Sequence, residues 1–264
     1  MPEAPAPAQI SRRELLGVPM ALTTYAEAMD VMDGMIARGI RGYVNATPVH
    51  GVMVAQRDAD LRRAQHGENV LNVPDGKPLV WALNLLGEEL PDRVYGPELT
   101  DRYCGRSAER GYRVWLYGGH DPEALDQLTR ALRARHPGID IVGGWSPPHR
   151  PLTEAEEREV AERINRDRPD VVWVGIGVPK QEKWMARMRP LLDAPVLVGV
   201  GAAFDFLAGR KKQAPRWMQR RGLEWLFRLS QEPRRLLVRY LRYNPAFVAG
   251  FVRQYLRERR ARGS

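Results

Sequence analysis

Between residues 113 and 201 short apolar runs alternate with longer amphipathic ones, and few folds accommodate that order. Arg113-Val-Trp-Leu-Tyr, Ile139-Asp-Ile-Val, Val171-Val-Trp-Val and Val196-Leu-Val-Gly-Val are too short for helices and rich in β-branched or aromatic residues. Between them lie the helical stretches Pro122 to Arg135, Thr153 to Asp167 and Lys180 to Met188, the second opened by the capping pattern Thr153-Glu-Ala-Glu156. Strands covered on both faces are apolar throughout, so the pattern predicts parallel βαβ units. The upstream half continues it. A helix over Thr24 to Arg38 is stopped by Gly39, and a strand from Arg41 to Thr47 turns at Pro48. Helices to about Asp58 and from Ala59 to His66 precede the strand Val70-Leu-Asn-Val. Further helices are expected over Lys77 to Leu86 and Pro97 to Arg110. The expectation is an α/β fold, a mostly parallel sheet with helices on both faces, over residues 15–208. The Pro/Ala-rich residues 1–14 are expected to be disordered, and residues 209–264 to form a basic helical appendage.

That appendage carries the charge imbalance. From Gly209 onward sixteen Lys/Arg face three acids, a net +13, whereas the whole chain is +9, so the first 208 residues carry −4. An anionic partner follows: nucleic acid, lipid headgroups or substrate phosphates. After Pro233, the apolar Leu236, Leu237, Tyr240 and Leu241 interleave with Arg234, Arg235, Arg239 and Arg242, as in a basic amphipathic helix on an anionic membrane surface. A helix packed on the body with a solvated basic face has the same spacing. No helix-turn-helix, RNP motif or zinc knuckle accompanies the charge, so nucleic acid is not the expected partner. The single cysteine, Cys104, fits a reducing compartment. The first residues lack the basic and apolar regions of a signal peptide, and no apolar run approaches the ~18–20 residues that span a bilayer. A cytoplasmic protein, peripheral on the membrane, is the expectation.

In open parallel sheets ligands bind outside the carboxyl ends of the strands. Asp75, in Pro74-Asp75-Gly76 at such an end, is either a general base or the N-cap of the helix behind it. Gly118-Gly119, Gly175 to Lys180 and Gly199 to Ala203, with Gly201 at its centre, could present backbone N–H groups to phosphates. Lys180 and Gln181 open a helix at the same edge. No P-loop and no complete dinucleotide fingerprint occurs, which disfavours a Rossmann-type oxidoreductase. The five histidines lack metal-ligand spacing, and Asp58-Ala-Asp60 sits at a helix junction where capping accounts for it, so neither a metal nor any other cofactor is expected. Gly-x-Ser-x-Gly and a Cys/His pair are absent.

Taken together, Val70-Leu-Asn-Val-Pro-Asp-Gly-Lys-Pro-Leu-Val-Trp, Asp92-Arg-Val-Tyr-Gly-Pro-Glu-Leu, Val174-Gly-Ile-Gly-Val-Pro-Lys-Gln-Glu-Lys-Trp, Gly199-Val-Gly-Ala-Ala-Phe-Asp-Phe and Ala214 to Leu236 resemble the WecG/TagA/CpsF glycosyltransferases, from about Leu16 to Phe247. The resemblance implies the family's own α/β class, called GT-E. It implies inverting, metal-independent transfer from a nucleotide-diphosphate sugar, typically UDP-linked, to a polyprenyl-diphosphate-linked sugar at the cytoplasmic membrane face. Cell-envelope or exopolysaccharide synthesis is the implied context. It also implies Asp75 as the base, Thr47, Arg93 and Gln181 in the site, Asp205 near the nucleotide, and Arg228, Arg235 and Arg239 near the diphosphate. One departure stands out. Many members have asparagine two residues after the threonine, and here that position is Val49, with Asn45 and His50 the nearby polar alternatives. The competing reading is a nucleic-acid- or membrane-binding regulator on an inactive nucleotide-binding fold.

Overall fold

The computed structural model describes residues 5–262. A 3₁₀ turn at Pro7–Gln9 leads into β1 (Arg12–Leu15) and β2 (Val18–Ala21), which form a hairpin. The disorder expected over residues 1–14 therefore gives way to structure from Pro7; residues 1–4 lie outside the described residues. The hairpin escapes a sequence reading because its turn is Leu16-Gly17, both with positive φ. Two-residue hairpin turns demand that conformation but usually obtain it from Asn-Gly. Leu16 is held there by the far end of the chain, its N–H donating to Gln254 Oε1 at 2.8 Å.

Apart from the short helix after β8, which was not among the expected elements, the remaining elements follow the expected order. They are α1 (Tyr25–Arg38), β3 (Gly42–Thr47), α2 (Val49–Ala55), α3 (Ala59–Gln65), β4 (Val70–Pro74), α4 (Lys77–Leu85) and α5 (Gly96–Arg110). Then come β5 (Arg113–Gly118), α6 (Pro122–Arg135), β6 (Asp140–Trp145), α7 (Glu154–Asp167), β7 (Val171–Gly175), α8 (Lys180–Met188), β8 (Val196–Gly199) and α9 (Ala203–Leu207). Thr24 caps α1 through the Glu27 N–H, and Gly39 ends it in the left-handed conformation. Thr153 and Glu156 form the expected capping box on α7. β6 runs three residues past the expected Val142. Gly143 continues the strand because a Cβ there would collide with Trp115 Nε1 and Asp167 Oδ2, which bond each other at 2.9 Å.

The sheet order is β1-β2-β4-β3-β8-β7-β5-β6, antiparallel only at the hairpin. One face packs residues of α1, α5, α6 and α9 around Met32, Leu116 and Trp173; the other packs α7 and α8 around Trp115, Trp184 and Met185. A third cluster joins the hairpin, α2, α3 and α4. Fully burying one such side chain is worth about 1.5–3 kcal/mol. Because every strand after β1 points the same way, the ends of β3, β4, β8, β7, β5 and β6 deliver their loops to one edge.

The tail is α10 (Arg216–Arg220), α11 (Glu224–Gln231) and α12 (Pro233–Arg262), the last a 30-residue helix that runs through Pro245. It is no detached appendage. Leu236 and Phe247 are buried, Phe247 within the third cluster, and Gln254 clamps the hairpin through Leu16 and the Glu14 carbonyl. Arg13 pairs with Glu258. Phe251 and Tyr255 pack inward against the same cluster. The outer face of α12 instead exposes Leu237, Val238, Leu241, Val248, Val252 and Leu256, with Val238 and Leu241 each 68% exposed.

Candidate active site

Two adjoining cavities occupy the carboxyl edge. The first, about 270 Å³, lies outside β3, β4 and β8, where the strand order turns back on itself, and the tail closes it. The second, about 810 Å³, lies outside β5, β6 and β7, lined by Gly119, His120, His149, Gly175, Lys180 and Asp205 among others. Gly177, Gly201, Ala202 and Arg235 line both.

Asp75 lies on the wall of the first cavity. The alternative of a helix cap resolves in an unexpected way. Gly76 is the N-cap of α4 and makes no side-chain capping bond, so Asp75 does not cap its own helix. Its Oδ1 accepts the N–H of Gly96, the first residue of α5, at 2.8 Å. Among the described residues no protein donor meets Oδ2, which leaves a lone pair for a ligand. The main chain is pinned on both sides, since Asp75 N–H donates to the Thr47 carbonyl at 3.0 Å and Val94 N–H to the Pro74 carbonyl at 2.9 Å. Burial raises the Asp75 pKa above the ordinary carboxylate value; Arg93 and the Gly96 N–H oppose the rise, Glu224 adds to it, and Arg228 opposes it. A carboxylate held this way is a better proton acceptor than a solvated one.

Arg93 stands beside it, 4.1 Å from the centre of the Tyr95 ring. Its guanidinium is taken up by the tail: Nη2 pairs with the Glu224 carboxylate and donates to Gln219 Oε1 at 3.3 Å, while Nη1 reaches the Asp75 carbonyl at 3.4 Å. Burial disfavours its charge, but Glu224 and Asp75 more than restore it. Arg93 thus lines the cavity and fastens body to tail. Glu224 is the site residue that sequence reasoning missed. Its signal was available, for it is one of only three acids in the last 56 residues.

Thr47 and Gln181 do not reach either cavity. Thr47 is 1% exposed and its Oγ1 donates to the Asn45 carbonyl at 3.3 Å. Gln181 is wholly buried and works on the loop above it, Oε1 accepting the Gly201 N–H at 2.9 Å. That bond, with Val200 N–H on Val174 and Ala203 N–H on Val200, uses most of the donors expected from Gly199 to Ala203. Among the described residues the Ala202 N–H alone in that turn is left for a ligand. Gly118 lies behind the wall, where φ is +137° and a Cβ would meet the Gly175 carbonyl at 2.8 Å. Gly119 and Lys180 line the second cavity, and so does Asp205, whose carboxylate is 2.7 Å from Lys211 Nζ. Asn45, bonded to Asn72 Oδ1 at 2.8 Å, is buried away from both cavities, whereas His50 lines the first.

Arg228, Arg235 and Arg239 all line the first cavity. Arg235 pairs with Glu232 at 2.5 Å, and Arg228 lies 5.7 Å from the Phe206 ring centre. Arg239 has its pKa lowered by burial and then by Arg235 and Arg228. Three guanidinium groups crowded enough to oppose one another make a site that an anion would relieve. Among the described residues no three His, Cys, Asp or Glu side chains gather as a metal-holding cluster. No helix among them is long and apolar enough to cross a membrane.

Beneath Gln181 lies Glu182, 1% exposed, its Oε1 accepting from Gln181 Nε2 at 3.2 Å and its Oε2 without a partner. Burial raises its pKa to about 7, against the opposing pull of its own N–H and of Gln181. A carboxyl whose folded pKa is raised stabilises the fold fully below its unfolded pKa, and that stability is lost as pH rises through about 7. Glu182→Gln, permanently neutral, is therefore expected to match the parent near pH 4.5 and to exceed it by roughly 2–3 kcal/mol at pH 8. Denaturant melts of both proteins at the two pH values check this; equal curves at pH 8 would show that the carboxylate is solvated.

These features define an α/β protein with a ligand cleft at the carboxyl edge of a parallel sheet, one free carboxylate oxygen in its wall and an arginine cluster facing it. More narrowly, the chain belongs to the glycosyl transferase WecG/TagA/CpsF family, which it matches over residues 13–261. It is 34% identical over 163 residues to the N-acetylglucosaminyldiphosphoundecaprenol N-acetyl-beta-D-mannosaminyltransferase of Bacillus spizizenii, covering 62% of this chain and 61% of that one. To the enzyme of the same name from Bacillus subtilis it is 32% identical over 180 residues, 68% and 67% of the two chains. To that of Staphylococcus aureus strain MW2 it is 30% identical over 164 residues, 62% of each. The chain thus spans about three-fifths to two-thirds of the length of these curated relatives.

Proposed function

We propose that the protein is an inverting, metal-independent glycosyltransferase that moves a sugar from a nucleotide-diphosphate donor, UDP-linked by preference, to a sugar carried on a polyprenyl diphosphate. The observation that carries the reading is the pairing of one carboxylate oxygen left without a partner, on Asp75, with three tail arginines in the same cavity. The names of the relatives supply the lipid-linked acceptor class.

The two cavities divide the work. The larger takes the nucleotide, against Lys180 and Asp205, and the shared rim takes the diphosphate, where Arg235 and the Ala202 N–H are present. The smaller holds the reacting sugars. There Asp75 Oδ2 removes the proton from an acceptor hydroxyl, and the oxygen attacks the anomeric carbon from the face opposite the nucleotide. The bond from that carbon to the diphosphate oxygen breaks with its electron pair going to the diphosphate. Arg228, Arg235 and Arg239 stabilise the departing charge in place of a metal ion, a role that fixed cations fill without reorganising. The exposed apolar stripe of α12, flanked by arginines, rests on an anionic membrane surface and brings the cavity to the lipid-linked acceptor.

The deciding experiment offers a panel of UDP- and GDP-sugars with short-chain polyprenyl-diphosphate sugars, with and without EDTA, and reads products by mass spectrometry and the anomeric configuration by NMR. One donor is expected to give an inverted disaccharide product at the same rate in EDTA, and the protein is expected to sediment with anionic but not zwitterionic vesicles. No product from any donor, together with no thermal stabilisation by UDP, would leave a binding protein instead of an enzyme.

A further inference from the structure

His50 occupies the first turn of α2, two residues after Pro48 and just past the end of β3, on the wall of the same 270 Å³ cavity as Asp75. Its ring is set edge-on against Tyr243 of the tail, with centroids 4.8 Å apart and planes at 81°. Of its two nitrogens, Nδ1 is sealed from solvent with no hydrogen-bond partner. A buried N–H without an acceptor is rarer and costlier than a buried bare lone pair. The proton of the neutral ring therefore belongs on Nε2, the nitrogen that is not sealed, making it a donor available to a ligand.

Two further facts say what that donor meets. Burial, and after it the charge of Arg239, hold the His50 pKa down to about 4, so the ring is uncharged at neutral pH. In a cavity already lined by four arginines, a neutral N–H discriminates among dipolar oxygens rather than attracting phosphate. Position gives the other clue. Neither His50 nor Tyr243 lines the nucleotide cavity, whereas both line the reaction cavity, so the ring stands away from the donor's nucleotide.

We propose that His50 is a specificity-determining residue on the acceptor side, its Nε2–H donating to a hydroxyl or acetamido oxygen of the acceptor sugar. The proposal rests on the transferase reading above and adds the residue that selects the acceptor. It predicts a selective defect. With an N-acetylglucosaminyl diphosphate on a short polyprenyl chain as probe, His50→Ala is expected to raise the acceptor KM about 3- to 10-fold, the worth of one neutral hydrogen bond. The kcat and the affinity for UDP, read by calorimetry, stay as in the parent, and His50→Gln, which keeps an N–H donor, recovers most of the loss. A series of acceptors each lacking one oxygen should contain one on which parent and His50→Ala act equally well.

If the donor KM or UDP affinity moves instead, or if no deoxy acceptor erases the difference between the two proteins, the assignment is wrong while the transferase reading stands. A His50→Gln protein that melts like the parent yet behaves as His50→Ala would also overturn it, since the ring then acts by shape alone. No transfer by the parent to any acceptor would overturn both.

Discussion

Asp75→Asn is expected to slow sugar transfer at least ~100-fold, the usual scale for a lost general base, while UDP still binds. The substitution is conservative where the structure needs it to be. The asparagine oxygen can keep the 2.8 Å bond from Gly96 N–H, and the backbone bonds to Thr47 and Pro74 are untouched, so the loop holds its course. What is lost is the second oxygen, because an amide nitrogen has no lone pair with which to accept a proton. The proposed role predicts a matching pH signature in the parent protein. Burial raises the Asp75 pKa, so the base is protonated as pH falls through a value above the ordinary 3.8, and activity rises with pH across that limb. The residual activity of the variant should lack the limb. Initial rates from about pH 4 to 8 with saturating donor and acceptor test both points. Turnover within a few-fold of the parent would return Asp75 to the role of a brace for α5.

The second large effect belongs to the arginine cluster. Arg228→Ala or Arg235→Ala alone is expected to cost about 10²–10³-fold in kcat, the range seen when one fixed donor is taken from developing negative charge. Arg235 stands on the rim shared by the two cavities, so its loss should also weaken UDP binding; Arg228 lines the first cavity alone and should act mainly on kcat. Lysine at 235 keeps the charge but not the planar fork, and is expected to recover only part of the activity. Single-turnover rates beside UDP-induced shifts in melting temperature separate the two contributions. Rates that fall no more than a few-fold in the doubly substituted protein would mean that the diphosphate is stabilised elsewhere. Point substitutions are the better probe because a truncated chain would also expose the partners of Leu236 and Phe247.

Elements with a local cause were readable in advance. The alternation of apolar strands and capped helices led to the parallel sheet, and Thr24, Gly39 and Thr153 mark their helix ends as their chemistry requires. The hairpin was not, because a leucine with positive φ is stabilised by Gln254, 238 residues away. The site divides in the same way. Asp75 follows from its place at a strand end, but its actual partner is α5 rather than α4, a choice made by how β4 and α5 pack. Thr47, Gln181 and Gly118 belong to the neighbourhood of the site, yet act from behind its walls; no local pattern distinguishes a side chain that touches ligand from one that holds the loop touching it. Glu224 required knowledge of what lies opposite, since an acid in a cationic tail acquires meaning only when Arg93 is buried against it.

The Arg93–Glu224 pair bears on how such proteins could be recombined. A tail taken from another member would, on a linear view, graft onto any body of the family. Here the junction is keyed. A donor tail without an acid at the position of Glu224 would leave the buried Arg93 guanidinium without the carboxylate it pairs with, a fault of about 3–5 kcal/mol. Chimeras made by exchanging residues 209–264 should therefore sort by whether this one lock is matched, and a mismatched hybrid should be repaired by restoring the missing half alone.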